Sequence, residues 1–410
     1  MKKTVENIEV RGKRVLVRND FNVPLDAKQR ITDDRRIQAA LPTIKRLMDG
    51  GGRLVLMSHL GRPEGQPNDQ VKFSLAPVAA RLGELLGRPI HLIKDWVGSG
   101  AKAAVDAMSD GDVCLLENLR FHDAETIKDK NAAADPALRR KKDAFAQTLA
   151  SLADVYVNDA FGTCHRDNAS MLTVPQMMEG KPRVIGYLVK RELEFLGEAV
   201  SSPARPFVCV LGGAKVSDKL GVIRSLMAKC DTILIGGAMA YTFLSAEGMD
   251  VGRSLVEPDL FDTARGLLAD AGQQLKLPVD SIAAAEIRDG VATETCELST
   301  PANLMGLDIG PKTIHAYTEI IKAAKTVVWN GPMGVFETPP FDTGTMAIAS
   351  AMAEATASGA TTIIGGGDSA AAIEKAGLAD RMTHISTGGG ASLEFLEGKS
   401  FAAIDVLDDA

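Results

Sequence analysis

Short apolar runs alternate along the chain with longer segments whose apolar residues recur every three or four positions. A short apolar run bounded by polar or glycine residues predicts a buried strand, and the longer spacing predicts a helix with one buried face. In the first half this pattern predicts strands at Val15–Arg18, Leu54–Met57, Ile90–Ile93, Val113–Leu116 and Val155–Val157. It predicts helices between them, for example Arg36–Met48, Ala76–Leu86 and Asp143–Leu152. Such alternation is typical of α/β proteins with mostly parallel sheets.

The alternation restarts after a charged amphipathic segment, Lys190–Val200, and a loop, Ser201–Pro206. The second half predicts strands at Phe207–Leu211, Thr232–Ile235, Val327–Trp329, Thr361–Ile364 and Thr383–Ile385. We therefore expect two domains that are connected by the Lys190–Val200 helix. The apolar tail Phe401–Leu407 is expected to pack as a strand or a loop.

Composition and charge narrow the class of protein. A chain of 410 residues is long for one core, so two domains of about 200 residues are expected. The formal net charge of −7 disfavours nucleic acid or an anionic membrane as the main partner. Five scattered cysteines without a CxxC pair indicate reduced thiols and a cytoplasmic setting. We expect no secretory signal, because the N-terminal stretch MKKTVENIEV has no long apolar region. We expect no membrane span, because no run of about 18 apolar residues occurs.

The stretch Thr361–Ala372 combines a predicted strand, three glycines and a helix start. Asp368 and Ser369 are suitable N-cap residues for that helix. Free backbone N–H groups and the positive end of a helix dipole would then meet at one spot, which favours a phosphate. The alternative is a tight turn between packed elements. Similar glycine clusters follow other apolar runs, at 212–213, 236–237 and 388–390.

Basic side chains follow the predicted strands of the first half. Because ligands bind beyond the carboxyl ends of strands in open α/β sheets, these side chains should converge at one edge. They are Arg36, His59, Arg62, Arg120, His165 and Arg166. Guanidinium groups suit bidentate capture of phosphate or carboxylate, and Asp20 and Asn22 could accept from hydroxyl groups. The first domain therefore favours a small, doubly anionic, hydroxylated metabolite, unless each arginine pairs with a surface carboxylate. Arg18 is interpreted as structural.

The second half offers glycines and two lysines. Leu211–Gly221 follows a strand and predicts a helix that carries Lys215 and Lys219 on one face. Gly236–Phe243 and Trp329–Glu337 follow two more predicted strands. Glycine turns, two lysines and one carboxylate suit a nucleotide. The backbone would lie against the base, the lysines would bind the phosphates, and Glu337 would bind the ribose or a metal. A solvated helix face is the alternative for the lysine pair.

Sequence motifs alone do not decide which reaction the predicted nucleotide site would serve. The chain has no GxxxxGK[ST] motif and no HRD and DFG pair, which excludes a P-loop protein and a protein kinase. Residues 365–370 fit the loose dinucleotide pattern GxGxxA, so a dehydrogenase is one alternative to a phosphotransferase. A nucleotide- or anion-sensing binding module is another.

Nine sequence blocks, in order over nearly the whole chain, resemble the phosphoglycerate kinase family. They are RNDFNVP (18–24), MSHLGRP (57–63), LLENLRFH (115–122), YVNDAFGTCHR (156–166), LGGAKVSDK (211–219), GLDIGP (306–311), VWNGPMGVFE (328–337), IIGGGDSA (363–370) and HISTGGGASLEFLEGK (384–399). The resemblance implies a kinase that moves a phosphoryl group reversibly between 1,3-bisphosphoglycerate and ADP, giving 3-phosphoglycerate and ATP, with Mg²⁺. It implies an α/β fold of two Rossmann-like three-layer domains and a hinge, in a monomer.

The implied domains are 1–185 for 3-phosphoglycerate, 186–200 for the connecting helix and hinge, 201–390 for the nucleotide, and 391–410 for a tail that returns to the first domain. The implied 3-phosphoglycerate residues are Asp20, Phe21, Asn22, Arg36, His59, Leu60, Gly61, Arg62, Arg120 and Arg166. The implied nucleotide residues are Gly213, Ala214, Lys219, Gly237, Gly306, Pro332, Glu337, Gly366, Gly367, Asp368 and Ser369.

The resemblance also implies catalytic roles. Arg36 and Lys215 would contact the transferring phosphoryl group, and Asp368 would bind the metal. Our own hypothesis is that the helix starts after Gly367 and Gly390 supply backbone N–H donors. Ser369 replaces a more usual Thr and keeps the hydroxyl. Cys164 stands where a small residue such as Ala is usual, so we expect a small buried side chain, with a redox switch as the alternative.

Overall fold

The computed structural model of the chain describes residues 1–95, 99–297 and 299–410. The described residues form two compact units, one of Met1–Leu193 with Ser400–Ala410 and the other of Glu194–Lys399. The residues that group with the first unit therefore begin again at Ser400, whereas the resemblance implies a tail from residue 391.

A six-stranded parallel sheet forms the centre of the first unit. Its strand order is β3-β4-β2-β1-β5-β6. The strands are β1 Arg14–Asn19, β2 Arg53–Met57, β3 His91–Ile93, β4 Val113–Leu116, β5 Val155–Asp159 and β6 Arg183–Ile185. Val15, Val17, Leu54 and Leu56 are fully buried in the core, which is why these runs read as continuous apolar strands.

Helices cover this sheet and present apolar residues to it. In the first helix the buried residues Ile37, Ala40, Ile44 and Leu47 recur at helical spacing. The helices are α1 Arg35–Asp49, α2 Asp69–Lys72, α3 Ala76–Leu86, α4 Ser99–Asp106, α5 Asp129–Ala134, α6 Pro136–Ser151 and α7 Val174–Met177. The next helix, α8 Tyr187–Ser201, carries the chain from the first unit into the second.

The second unit contains another six-stranded parallel sheet, in the order β15-β14-β13-β7-β8-β9, and a three-stranded antiparallel sheet, β11-β10-β12. Trp329, in the centre of the larger sheet, is fully buried. The strands are β7 Phe207–Leu211, β8 Thr232–Ile235, β9 Leu275–Lys276, β10 Asp280–Ala284, β11 Glu294–Glu297, β12 Met305–Ile309, β13 Thr326–Asn330, β14 Thr361–Gly365 and β15 His384–Ile385. The helices are α9 Leu220–Met227, α10 Met239–Ala246, α11 Phe261–Ala271, α12 Pro311–Ala323, α13 Thr343–Ala357, α14 Gly367–Lys375 and α15 Gly390–Leu396.

The α/β class and all ten predicted strands are confirmed, with ends that differ by at most two residues. The sequence did not predict β6 and β9, which have only three and two residues. It also did not predict the antiparallel sheet, because a strand such as β11 buries one of its four residues and so shows no apolar run. Helix α6 begins seven residues before the predicted Asp143, where Asp135 caps the amide of Ala137.

The prediction of a strand or loop for the tail is wrong in part, since Ala402–Asp405 form a short helix, α16. Polar contacts attach the tail to residues near both ends of the Met1–Leu193 segment. The amide of Lys3 donates to the carbonyl of Asp408 at 2.8 Å, and the Asp408 carboxylate accepts from Arg183 at 3.0 Å. Among the described residues, no helix combines the length and apolar character that crossing a bilayer requires.

Candidate active site

His59 lies at the centre of the basic side chains of the first unit. The ring is almost fully buried, and burial lowers its pKa well below the ordinary value. The positive charges of Arg18, Arg120, Arg166 and Arg36 lower that pKa further. The end of β1, the start of α1 and the loops after β2, β4 and β5 therefore bring four guanidinium groups near one neutral imidazole. The predicted convergence holds for Arg36, His59, Arg120 and Arg166, whereas Arg62 lies nearby but is exposed.

The arginines of this cluster are only partly neutralised by protein carboxylates. Arg36 donates from Nη1 to Oδ2 of Asp20 at 2.7 Å. Arg120 donates to the carbonyl of Gly61 at 2.5 Å, and its buried Nε has no hydrogen-bond partner in the described part of the chain. Burial, with Arg166 and Arg18, lowers the pKa of Arg120 to about 10. Such crowding of positive charge favours an anionic ligand.

Side chains near His59 hold backbone groups of the neighbouring loops, and two of these side chains, Ser58 and Asn118, are buried. The amide of Gly61 donates to Oδ1 of Asn22 at 2.7 Å, and the amide of Phe21 donates to Oγ of Ser58 at 2.8 Å. Asn118 accepts from the amide of Leu60 and donates to the same residue's carbonyl. Sequence reasoning did not assign roles to Ser58 and Asn118, because their function is to hold other residues' backbones.

Gly61 needs to be glycine for two reasons. Its φ of +60° is in the left-handed region, and a Cβ would overlap the ring of Phe73.

Cys164, in the loop after β5, is buried, and burial raises the pKa of its thiol. This environment agrees with a small structural side chain more than with a redox switch.

A cavity of 460 Å³ opens in the second unit, a size typical of small-molecule sites. Most of its lining is apolar, including Tyr241 and Leu244. Seven of the residues implied for the nucleotide line it: Gly213, Ala214, Gly237, Gly306, Pro332, Glu337 and Asp368. The remaining four, Lys219, Gly366, Gly367 and Ser369, do not line the cavity itself.

Glycines allow the chain segments around this cavity to approach each other closely. Gly213 has φ +103° and donates to the carbonyl of Pro332 at 3.0 Å. Gly237 has φ +67° and donates to the carbonyl of Met333 at 2.9 Å. A Cβ on Gly306 would overlap the ring and hydroxyl of Tyr241.

The prediction that Lys215 and Lys219 share a helical face is wrong. The helix α9 starts only at Leu220, because the glycine pair and a turn from Val216 to Lys219 precede it. Lys215 is exposed in the loop. Lys219 is buried, its Nζ donates to Oδ1 of Asn330, and burial lowers its pKa to about 8. The two lysines therefore occupy different environments.

The prediction that Asp368 or Ser369 caps α14 is also wrong. Gly366, with φ +90°, is the N-cap, because glycine can turn directly from the strand into the helix. Ser369 is buried in the first turn, and its Oγ accepts from the amide of Gly331 at 2.6 Å. Asp368 is exposed at the same helix start. The other implied donor, Gly390, begins the short helix α15.

Asn330 is a polar residue that sequence reasoning did not assign. It is buried at the carboxyl end of β13, and its Nδ2 has no hydrogen-bond partner within the described ranges. That nitrogen lies 3.1 Å from the Cβ positions that side chains on Gly365 and Gly366 would take. The only sequence signal was its place directly after an apolar run. An unpaired donor against a glycine loop suits a phosphate oxygen.

No group of three or more His, Cys, Asp or Glu suited to a metal ion occurs in residues 1–95, 99–297 and 299–410. Magnesium commonly binds through one or two carboxylates together with substrate phosphates rather than in a protein cage. The exposed carboxylate of Asp368, at the edge of the cavity, fits that role.

The chain is an α/β protein of two compact units, one with a basic cluster at the strand ends of its sheet and one with a glycine-lined cavity. Both features are suited to small anionic ligands. A sequence model described as phosphoglycerate kinase matches residues 5–399. The chain belongs to the phosphoglycerate kinase family. It is therefore an enzyme of the kinase class.

Similar proteins share this chain's full length. The phosphoglycerate kinase of Rhodopirellula baltica is 53% identical over 412 residues and covers 100% of both chains. That of Clostridium botulinum is 54% identical over 413 residues, covering 100% of this chain and 99% of the relative. The solved structure of phosphoglycerate kinase from Coxiella burnetii has a TM-score of 0.84 at 38% identity, with 99% of this chain and 98% of that chain covered. The enzyme of Pyrococcus horikoshii OT3 has a TM-score of 0.84 at 32% identity, with 98% and 97% covered.

Proposed function

We propose that this chain transfers a phosphoryl group reversibly between 1,3-bisphosphoglycerate and ADP, giving 3-phosphoglycerate and ATP. The observation that carries the proposal is the partly neutralised arginine cluster around His59 in a member of this family. A doubly anionic acid matches that cluster, and a nucleotide matches the cavity of the second unit in size and apolar lining.

The reaction needs positioning and charge stabilisation more than proton transfer. The accepting carboxylate of 3-phosphoglycerate is ionised at neutral pH, so no general base is required. Phosphoryl transfer passes through a loose transition state whose charge is spread over the equatorial oxygens. We assign contact with the transferring group to Arg36 and Lys215 and to the amides at the starts of the helices at Gly367 and Gly390.

The two substrates are assigned to the residues that the family resemblance implies. The acid is assigned to the ten residues named above around His59, and the nucleotide to the seven that line the cavity together with Lys219, Gly366, Gly367 and Ser369. Mg²⁺, held by Asp368 and the nucleotide phosphates, would neutralise charge on those phosphates when bound. Hinge closure, a monomeric state and a cytoplasmic location remain part of the proposal. All five cysteines are free and buried, which favours a reducing compartment.

The proposal is tested by incubating the protein with MgATP and 3-phosphoglycerate and trapping the acyl phosphate with hydroxylamine. Hydroxamate should form only when both substrates are present. A parallel assay for hydride transfer with nicotinamide cofactors tests the dehydrogenase alternative. Absence of hydroxamate under saturating substrates, with the protein folded by circular dichroism, would contradict the proposal.

A further inference from the structure

Arg18 is a buried cation that has no assigned part in the reaction. It lies on β1, its side chain is fully buried, and it follows the core residue Val17. A buried guanidinium is costly unless its donors are paired and its charge is compensated. Its partners therefore indicate what it does for the fold or for the site.

Three partners fix the plane of the Arg18 guanidinium. Nε donates to Oγ of Ser170 at 2.9 Å, and Nη1 donates to the carbonyl of Asn19. Nη2 lies 4.0 Å from Oε1 of the buried Glu125, which balances the charge. Glu125 in turn accepts from the Ser170 hydroxyl at 2.6 Å and from the Ser170 amide at 2.9 Å. The guanidinium is thus oriented independently of any ligand.

The fourth partner is His59, whose Nδ1 lies 3.2 Å from Nη2 of Arg18. A guanidinium has donors only and keeps its proton in proteins. In this contact Nδ1 must therefore be the acceptor, and the single proton of the neutral ring must be on Nε2. Arg18 thereby selects one of the two tautomers of His59.

Three other arginines of the cluster also lie near the His59 ring. Arg36, Arg120 and Arg166 are close enough for their charges to act on His59. No hydrogen bond joins Nε2 to any residue that the structure describes, so its proton is available to a ligand. The long arginine side chains leave the position of a ligand oxygen loosely defined. A neutral N–H donor with a fixed direction can define that position more tightly.

We propose that Arg18 is a positioning residue that holds His59 as the Nε2–H tautomer, so that His59 donates one directed hydrogen bond to the acid substrate. This inference rests on the proposed function for the identity of the ligand. The tautomer itself is a property of the free protein.

The first test is two-bond ¹H–¹⁵N correlation NMR of the free protein labelled with ¹⁵N-histidine, near neutral pH. Comparison with His59→Gln assigns the His59 signals among those of the six histidines. The expected pattern is a single neutral ring protonated on Nε2. A proton on Nδ1, or on both nitrogens, would overturn the inference.

The second test removes the guanidinium together with its counter-charge in the double variant Arg18→Met/Glu125→Gln, which leaves no buried unpaired ion. The His59 signals should become those of mixed tautomers. The KM for 3-phosphoglycerate should rise as the fraction of the Nε2–H tautomer falls, about twofold if the two tautomers become equally populated, while kcat and the KM for ATP stay nearly unchanged. Unchanged NMR signals together with an unchanged KM would refute the role of Arg18.

Arg18→Lys serves if the double variant does not fold, because it keeps the charge beside Glu125 but cannot reach Ser170, Asn19 and His59 at once. The same mixed tautomers are expected, and an unaltered Nε2–H signal would refute the inference. Arg14→Met is the matched control, since Arg14 lies at the opposite end of β1 and pairs with Asp154. An inactive wild type would contradict the proposed function alone, because the NMR result on the free protein would still decide the tautomer.

Discussion

Arg35 and Arg36 are neighbours in sequence, but their guanidinium groups have different partners. Arg36 pairs with Asp20 in the His59 cluster, whereas Arg35 pairs with Asp33. If Arg36 stabilises the transferring phosphoryl group, Arg36→Ala should lower kcat on the order of 10²-fold, as the loss of one transition-state donor does. Steady-state kinetics measure kcat and KM of Arg36→Ala, with Arg35→Ala as the control variant. A change confined to KM would mean that Arg36 only binds substrate.

Lys219 should make nucleotide binding depend on pH. Its pKa is lowered to about 8 by burial, so its positive charge is present below that pH and is lost as the pH rises through it. A neutral lysine attracts phosphates less, so the KM for the nucleotide should rise in that range. Lys219→Met should raise the KM at neutral pH and remove the dependence. The same profile in the variant and in the wild type would contradict the assignment.

At the residue scale, the sequence predicted the types and strand-end positions of the basic side chains, because those follow from local pattern and parallel topology. It did not predict that Lys219 is buried and Lys215 exposed, or that Asn330 is left with an unpaired donor. Those states depend on contacts between segments more than 100 positions apart, such as Lys219 with Asn330.

At the element scale, β12 lies against α10, where Gly306 faces Tyr241. The added methyl of Gly306→Ala should lower the free energy of unfolding by about 1–3 kcal/mol, as overpacking does, and should raise the KM for the nucleotide. Gly266→Ala, in α11 with open space around the new Cβ, is the matched control. It should be neutral or slightly stabilising, by at most about 1 kcal/mol. Denaturant unfolding followed by circular dichroism distinguishes the two.

The parallel strands were predictable because both of their faces are buried and their sequences are continuously apolar. The antiparallel sheet β10–β12 was not, since β11 exposes most of its side chains. The starts of α9 and α14 were misplaced for another reason. A turn from Val216 to Lys219 delays the start of α9, and the positive φ angle of Gly366 sets the start of α14. N-cap propensity alone reveals neither feature.

At the scale of the whole molecule, the candidate acid and nucleotide residues belong to different compact units. Transfer requires the reacting oxygens to come within roughly 3–3.5 Å of the phosphorus, with water excluded. We therefore predict that 3-phosphoglycerate and a non-hydrolysable MgATP analogue together reduce the radius of gyration in small-angle scattering more than either ligand alone. No additional reduction with both ligands at saturation would refute the hinge closure.

The central claim is that the acid binds in the first unit and the nucleotide in the second. The most direct measurement is a crystal structure of the protein with 3-phosphoglycerate and MgADP. The account predicts the acid against His59, Arg36, Arg120 and Arg166, and the nucleotide in the cavity lined by Gly213, Gly237 and Gly306, with its phosphates towards Asp368. Both ligands in one unit, or an acid that does not touch the arginine cluster, would contradict it.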